Sequence, residues 1–236
     1  MRPVDLLHEA DFKGYMKEVG LGLELLLIRH GESLHNIGAS SLKDSLLSPR
    51  GIVQARQTGE ALRGENIQRI YSSLVHRALE TAEVISGILQ APCIFWRDLA
   101  ESHFCWDEPG HGRSALCQRF PMFEFPAEAT EEGWAAFKND ETEEEVLERM
   151  GGIAEAFFAM AQAEPEAIIA VIIHGNSGNA LLKRFFGMSH SGIYFHHGNC
   201  GITRLRINPD RTINVFAMND ERHKLEEPLS TVTEYI

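Results

Sequence analysis

The sequence predicts an α/β fold: a three-layer sandwich with a mostly parallel sheet, helices on both faces and an antiparallel edge strand. Two all-apolar runs, residues 25–28 and 167–173, have the length and composition of buried strands. Stretches of helical spacing alternate with strands along the chain, which is the pattern of a parallel sheet covered on both sides. Near the end of the chain, two strand-like runs flank Pro209-Asp210, and such a hairpin adds an antiparallel edge.

The first half of the chain predicts three strands separated by two helices. The strands are expected at residues 23–28, 69–72 and 93–96. The first helix begins at Ser48-Pro49, because serine suits the N-cap and proline the first helical position, and it ends near Gly64. The second helix is expected at residues 74–89, where apolar residues recur at helical spacing.

The strand–helix pattern stops after residue 99 and resumes at about residue 142. Glycines and prolines in this stretch predict a lid-type insertion, about residues 102–140, with one short helix. Thr142 and Glu145 form a capping box that opens a helix reaching about residue 163. The elements expected after it are a strand at 167–173, a helix at 178–186 and strands at 202–208 and 212–217.

Length and composition favour one domain over residues 1–236, with a helical extension at residues 1–20. No apolar run approaches the roughly 20 residues needed to cross a bilayer, and the N-terminus lacks the features of a signal peptide. The four cysteines are too few and too scattered for a disulfide scaffold or a zinc site, so we expect free thiols in a cytoplasmic protein. They are Cys93, Cys105, Cys117 and Cys200.

The chain carries a net charge of −12, which argues against nucleic acid as a partner. We expect no membrane partner either. Many acidic side chains lie between residues 124 and 145, and we interpret them as a solvated face. A small anionic ligand is compatible with this charge, because a pocket needs only local positive potential.

The residues with the clearest chemistry stand where the two apolar runs end. The first run leads into Arg29-His30-Gly31-Glu32-Ser33, with Asn36 one turn later, and the second leads into His174-Gly175. Parallel strands end at the same edge of a sheet, so His30 and His174 are expected to meet there. A neutral imidazole is a nucleophile, a guanidinium matches phosphate oxygens, and glycine permits close approach of the backbone. This pattern indicates a histidine that attacks a phosphate.

Four further segments extend the pattern. They are residues 48–55 (SPRGIVQA), residues 71–82 (YSSLVHRALETA), Leu99-Ala100-Glu101 and residues 199–203 (NCGIT). Together with the two His-Gly strand ends, these segments resemble, in the same order, the motifs of the histidine phosphatase superfamily in its phosphoglycerate-mutase-like branch. The resemblance covers residues 25–205.

The resemblance implies that His30 attacks phosphorus and forms a phosphohistidine. Arg29, Arg77 and His174 would hold the phosphoryl oxygens, and Glu101 would protonate the leaving oxygen before it activates water. Other residues expected to contact the substrate are Asn36, Gly31, Gly175, Ser33 and Arg113. We expect no cofactor and no metal ion, because fixed cations stabilise the charge.

Three assignments have alternatives. The segment after Glu101 departs from the family pattern W-E-G, so Asp107 or Glu108 is an alternative acid. Ser33 suits a capping role as well as contact with phosphate. Several histidines have no spacing typical of a metal site, and we interpret them as surface or pocket-wall residues. These are His103, His111, His190, His196 and His197.

The family that the sequence resembles includes both phosphatases and mutases, and the insertion distinguishes the two classes. The resemblance implies that a cofactor-dependent mutase has a longer, basic insertion, whereas residues 110–140 contain only Arg113, Arg119 and Lys138 as cations. We therefore expect a phosphomonoesterase for a small organic phosphate, acting as a monomer or homodimer. The alternative is a cofactor-dependent phosphoglycerate mutase, and a non-catalytic module that binds phospho-ligands is less favoured. Aromatic residues of the insertion either line a lid over an organic substrate or form a local core; they are Phe120, Phe123, Phe125 and Trp134.

Overall fold

A computed structural model describes residues 21–102, 110–134, 141–188 and 192–224. The strands are β1 (Leu23–Arg29), β2 (Arg69–Ser72), β3 (Cys93–Phe95), β4 (Ile168–Ile173), β5 (Ile202–Ile207) and β6 (Ile213–Asp220). The helices are α1 (Pro49–Ala61), α2 (His76–Leu89), α3 (Arg113–Arg119), α4 (Glu143–Ala163) and α5 (Gly175–Phe185), with a 3₁₀ turn at Arg97–Leu99. The helical extension expected at residues 1–20 lies outside the described residues. None of the described helices combines the length and the apolar character needed to cross a membrane.

The six strands form one mixed sheet in the order β3-β2-β4-β1-β5-β6. Strands β1 to β4 pair in parallel, and Arg29 at the end of β1 lies opposite Ile173 at the end of β4. Strand β5 runs antiparallel to β1, and β6 pairs antiparallel with β5 at the sheet edge. The predicted mostly parallel sheet with an antiparallel hairpin is confirmed.

The central strand β1 is buried on both faces because helices cover both sides of the sheet. Leu25 and Leu27 belong to a core cluster with side chains of α4 and α5. Leu26 and Ile28 point to the opposite face and belong to a second cluster, with side chains of α2. Alternate residues of a strand face opposite sides, so a continuous apolar run is what a three-layer sandwich requires.

The helix starts follow the predicted capping chemistry, with one exception. The Ser48 hydroxyl accepts the N–H of Gly51 at 3.0 Å, and Thr142 with Glu145 forms a reciprocal capping box. Helix α5, however, begins at Gly175 and not at residue 178 as expected. The carboxylate of Glu101 accepts backbone N–H groups of this first turn and so stabilises the helix start.

The insertion is described over residues 110–134 and contains the expected short helix, α3. Its aromatic side chains are buried against β3 and α2, and the ring of Phe95 lies 4.9 Å from that of Phe123 and 5.0 Å from that of Phe125. These residues form a local core. They therefore give no support to an aromatic substrate.

Candidate active site

Two histidines meet at the edge of the sheet where β1 and β4 end. The backbone N–H of His30 donates to the carbonyl of Ile173 at 2.9 Å, which continues the parallel ladder by one residue. The rings of His30 and His174 lie 5.0 Å apart between centroids and are tilted by 55°. The expected convergence of the two strand ends is thus what the structure contains.

The hydrogen bonds of His30 define which ring nitrogen carries a lone pair toward the site. Nδ1 lies 2.7 Å from the carbonyl oxygen of Gly31. A carbonyl only accepts, so Nδ1 carries the proton and Nε2 is left with its lone pair. Nε2 accepts a hydrogen bond from Nε of Arg77 at 3.1 Å. This is the tautomer that a nucleophilic imidazole needs.

His30 is only 2% exposed, and its surroundings favour the neutral ring. Burial lowers its pKa well below the usual 6.5, and electrostatic interactions with Arg77, His174 and Arg29 lower it further. The bond to the carbonyl of Gly31 acts in the opposite direction but does not outweigh them. At neutral pH, His30 is therefore an uncharged imidazole among cations.

Two buried guanidinium groups flank His30. Arg77, in the first turn of α2, also donates from Nη1 to the carbonyl of Lys43 at 2.6 Å. Arg29, the last residue of β1, donates from Nη1 to the carbonyl of His197 at 2.8 Å. Fixed guanidinium groups at a buried site create local positive potential in a chain whose net charge is −12. This explains how an acidic protein can attract an anion.

His174 occupies a different setting from His30. It is the N-cap of α5, and its Nε2 lies 2.7 Å from the hydroxyl of Ser73. Its Nδ1 is buried and has no hydrogen-bond partner in the described part of the chain. Burial lowers its pKa well below 6.5, and Arg77, Arg29 and Arg149 lower it further. His174 is therefore also neutral at neutral pH.

Glu101 lies beside His174, at the start of α5. Its Oε1 accepts the N–H groups of Ser102 and Ser177, each at 2.9 Å. Its Oε2 accepts the N–H of Asn176 at 3.2 Å. The carboxylate is thus fixed by three backbone donors, two of which belong to the first turn of α5, directly after His174. The alternative acids Asp107 and Glu108 lie outside the described residues.

Ser33 and Asn36 bond to one another in the loop after His30. The N–H of Ser33 donates to Oδ1 of Asn36 at 2.9 Å, and the N–H of Asn36 donates to the Ser33 hydroxyl at 3.2 Å. Asn36 also accepts from Nδ2 of Asn199 at 3.4 Å. These bonds favour the capping alternative for Ser33. Contact of either side chain with substrate stays a prediction.

The two predicted glycines have distinct surroundings. A Cβ on Gly31 would lie 2.6 Å from the carbonyl oxygen of Gly51, and one on Gly51 would collide with the backbone of Glu32. Gly31 therefore permits the first turn of α1 to pack against the loop that follows His30. Gly175 is the first residue of α5 and directly follows His174, the N-cap of that helix.

Arg113 is fixed within the insertion. Its guanidinium donates to the carbonyls of Phe125 at 3.0 Å and Pro126 at 2.8 Å, and more weakly to that of Ala129 at 3.3 Å. These bonds hold the loop that follows α3. The predicted contact of Arg113 with substrate receives no support from this geometry, because the donors are directed at the insertion's own backbone.

Several residues that sequence reasoning did not assign support the site. Nδ2 of Asn199 donates to the carbonyl of His30 at 3.1 Å, and the N–H of Cys200 donates to the carbonyl of Arg29 at 2.9 Å. Arg149 donates to the carbonyl of Ala100 at 3.0 Å and so supports the turn that carries Glu101. The segment NCGIT, noted only as a motif, was the available signal for the first two.

Two buried side chains near the site, those of Cys200 and His197, keep their neutral forms. The Cys200 thiol is fully buried, and burial raises its pKa to about 12. His197 hydrogen-bonds through Nε2 to the hydroxyl of Thr203 at 2.8 Å. Burial and then the charge of Arg29 lower the pKa of His197 to about 4. Both groups are therefore uncharged at neutral pH.

Comparison with known proteins gives a consistent result. The model of the histidine phosphatase superfamily (branch 1) matches residues 25–220. A Bacillus subtilis protein named "Uncharacterized phosphatase PhoE" is 31% identical over 164 residues, which is 68% of this chain and 76% of that protein. An Erwinia tasmaniensis protein named "Probable phosphoglycerate mutase GpmB" is 24% identical over 186 residues, covering 78% and 84% of the two chains.

The fold has solved counterparts as well. A phosphoserine phosphatase mutant from Entamoeba histolytica, crystallised with phosphoserine, superposes with a TM-score of 0.62 at 24% identity. The alignment covers 86% of this chain and 100% of that one. At this level of identity the likeness shows the fold, which agrees with the mixed sheet described above.

Proposed function

The chain belongs to the histidine phosphatase superfamily (branch 1), and we propose that it hydrolyses phosphate monoesters through a covalent phosphohistidine. One observation carries the proposal: His30 is buried and neutral, and its Nε2 lone pair is directed toward the guanidinium of Arg77. An imidazole so placed is a nucleophile beside an anion site. The substrate is a small organic phosphate monoester, and its organic part leaves as an alcohol when the phosphoryl group passes to His30.

In the first step, Nε2 of His30 attacks phosphorus and the bond from phosphorus to the leaving oxygen breaks. Arg29, Arg77 and His174 surround the transferring group, and the two guanidinium groups stabilise the charge on its oxygens. The leaving oxygen takes a proton from Glu101. Because fixed cations supply the charge stabilisation, this step needs no metal ion.

In the second step, water attacks the phosphohistidine. Glu101, now ionised, accepts a proton from that water, and the bond between Nε2 and phosphorus breaks to release inorganic phosphate. The proton returns Glu101 to its starting state. The three backbone N–H groups on Glu101 fix its position near His174 throughout.

The insertion supports a phosphatase more than a mutase. A mutase must hold the second phosphate of a bisphosphate, which requires cations near the mouth of the site. In residues 110–134, Arg113 bonds to carbonyls of its own loop, and Arg119 pairs with Glu80 at 2.6 Å and Glu83 at 3.6 Å. Both arginines therefore already have anionic or carbonyl partners.

A subclass follows from the lowered pKa of His30. We assign the enzyme to the histidine acid phosphatase type, because a nucleophile that stays neutral below pH 6.5 keeps its lone pair in acidic solution. Burial, the largest cause of the shift, belongs to the fold and is present before substrate binds.

The test is to trap the intermediate and to measure what leaves it. The enzyme is mixed with a ³²P-labelled monoester and quenched in alkali, where phosphohistidine survives and ester-linked phosphate on other residues is distinguished by its acid stability. We expect label on His30 and steady release of inorganic phosphate without any bisphosphate primer. Absence of alkali-stable label would refute the covalent route. Interconversion of phosphoglycerates after priming, with little phosphate release, would establish the mutase instead.

A further inference from the structure

We propose that Asp44, His76 and His111 form a binding site for a divalent transition-metal ion, Zn²⁺ in the first instance, beside the phosphate site. The site is separate from the reaction chemistry. Its three ligand atoms come from three segments: the loop between β1 and α1, the first residue of α2, and the insertion just before α3. Ligands so far apart in sequence have no spacing motif, which is why the sequence does not reveal them.

Asp44 supplies a buried carboxylate oxygen to which no described residue donates a hydrogen bond. Its side chain is only 7% exposed, and its Oδ1 accepts the N–H of His76 at 2.7 Å. Its Oδ2 is buried and accepts no hydrogen bond from the residues that the structure describes. A buried carboxylate oxygen without a donor is unfavourable, and a bound cation compensates for that.

Two imidazole nitrogens face this oxygen at distances too long for hydrogen bonds. Nδ1 of His76 lies 3.7 Å from Oδ2 of Asp44, and Nε2 of His111 lies 3.9 Å from it. All three ligand atoms fall within 4.8 Å of one another. Around Zn²⁺, with bonds of about 2.0–2.1 Å, neighbouring ligand atoms stand roughly 3.3 Å apart. Side-chain shifts of under about 1 Å would therefore bring the three ligand atoms to the separations that Zn²⁺ requires.

The chemistry of the donors favours a particular class of ion. Two imidazoles and one carboxylate suit Zn²⁺ and its neighbours in the first transition row. Mg²⁺ and Ca²⁺ prefer sites built mainly from oxygen. Direct packing of the two imidazole rings is the competing explanation, since their centroids lie 4.0 Å apart.

The proposed metal site lies next to a contact between the start of α2 and the loop before α1. Arg77 follows His76, Lys43 precedes Asp44, and Arg77 donates to the carbonyl of Lys43 at 2.6 Å. A bound ion would join the loop, the start of α2 and the insertion next to this contact. We infer that binding fixes the insertion against the helix that carries Arg77 and raises the stability of the native state.

The experiment measures binding by the tag-free protein after treatment with a chelator. Titration calorimetry with Zn²⁺ is expected to give one ion per chain, and the midpoint of thermal unfolding should rise with Zn²⁺ concentration. Co²⁺ is the spectroscopic probe, because histidine coordination in a four-coordinate site gives visible absorption bands. His111→Gln is the main variant, since the His111 side chain is 43% exposed and tolerates replacement. It should lower the affinity by about 100-fold or more.

Two variants make the result specific. Asp44→Asn keeps an oxygen acceptor for the N–H of His76 but removes the charge, so it should also abolish the thermal shift. Cys117→Ser removes an exposed thiol on α3, the nearby group with most affinity for zinc by itself, and should change nothing. Absence of binding by the wild-type protein overturns the proposal. So does affinity that persists in His111→Gln and Asp44→Asn, or that disappears in Cys117→Ser.

Discussion

The ends of β1 and β4 carry the same dipeptide, His-Gly, at the same edge of the sheet, yet the two histidines differ in every contact. His30 donates from Nδ1 to its own neighbour's carbonyl and presents Nε2 to Arg77. His174 caps a helix, bonds through Nε2 to Ser73 and leaves Nδ1 without a partner in the described chain. The strand positions are equivalent, but the hydrogen-bond partners are not.

This difference supports the roles proposed for the two histidines. A nucleophile needs a fixed tautomer and a lone pair directed at the anion, and only His30 has a carbonyl that determines the tautomer. A residue that holds a phosphoryl oxygen needs a firm position, which the N-cap and Ser73 give to His174. The hydrogen bonds of the two histidines differ in the way that these proposed roles require.

The largest expected effect separates the two histidines directly. His30→Ala should lower kcat by about 10⁴-fold or more, because no covalent intermediate can form. His174→Ala should lower kcat by about 10²–10³-fold, as for loss of one stabilising donor, and should still yield alkali-stable phosphohistidine. Both variants are assayed with p-nitrophenyl phosphate and with labelled substrate. Label in His30→Ala, or none in His174→Ala, would reverse the assignment.

The second largest effect is expected for Glu101, the proposed general acid, which lies beside His174. Glu101→Gln should slow hydrolysis of alkyl phosphates by about 10²–10⁴-fold, because their leaving groups require a proton. The same change should affect p-nitrophenyl phosphate far less. Asp107→Asn and Glu108→Gln are the comparison variants, measured with both substrates. If one of those two shows the selective loss and Glu101→Gln does not, the acid lies in the segment after Glu101.

The pH dependence of kcat tests the neutral state of His30. The neutral ring is the active form, so a lowered pKa keeps activity high as the pH falls below 6.5, and the acid limb lies well below that value. Arg77→Gln removes the neighbouring charge that contributes most to the shift after burial, so its acid limb should move to higher pH. Arg63→Gln, an exposed arginine, is the control. Identical acid limbs in wild type and Arg77→Gln would contradict this cause.

The smallest effect concerns the partner of His174. Ser73→Ala removes the hydroxyl 2.7 Å from Nε2 of His174 and should raise KM or lower kcat by about tenfold or less. Ser72→Ala is the matched control, since Ser72 is also fully buried but, among the residues that the structure describes, its hydroxyl donates only to the carbonyl of Ser73, at 3.1 Å. Equal kinetics for the two variants would mean that Ser73 does not position His174.

The sheet was predictable because its signals are local. The all-apolar runs of β1 and β4, the Ser-Pro start of α1 and the Thr–Glu capping box of α4 each depend on neighbouring residues. The start of α5 was misplaced by three residues because its first turn depends on Glu101, which lies more than 70 positions earlier in the chain. Contacts between distant segments leave no periodic signal.

Prediction of the candidate site from the sequence has the same limit. The residues around His30 belong to recognisable motifs, and the strand register brings Arg29, His30 and His174 together. Arg113 was assigned to the substrate on its charge, but its donors satisfy carbonyls that the insertion's own loop presents. Ser73 and Asn199 act through hydrogen bonds to distant residues, which the chain makes only once folded. Charge and motif therefore indicate where a site lies, but not how each group within it is used.

The buried Cys200 has a consequence for how such an enzyme responds to its chemical environment. Its backbone supports Arg29, while its thiol is enclosed and has a pKa raised to about 12. Peroxides and alkylating reagents react with exposed thiolates, and Cys200 offers neither exposure nor a thiolate. The reacting atom of the proposed mechanism is an imidazole nitrogen. The proposed activity should therefore persist under oxidising conditions that inactivate phosphatases with a cysteine nucleophile.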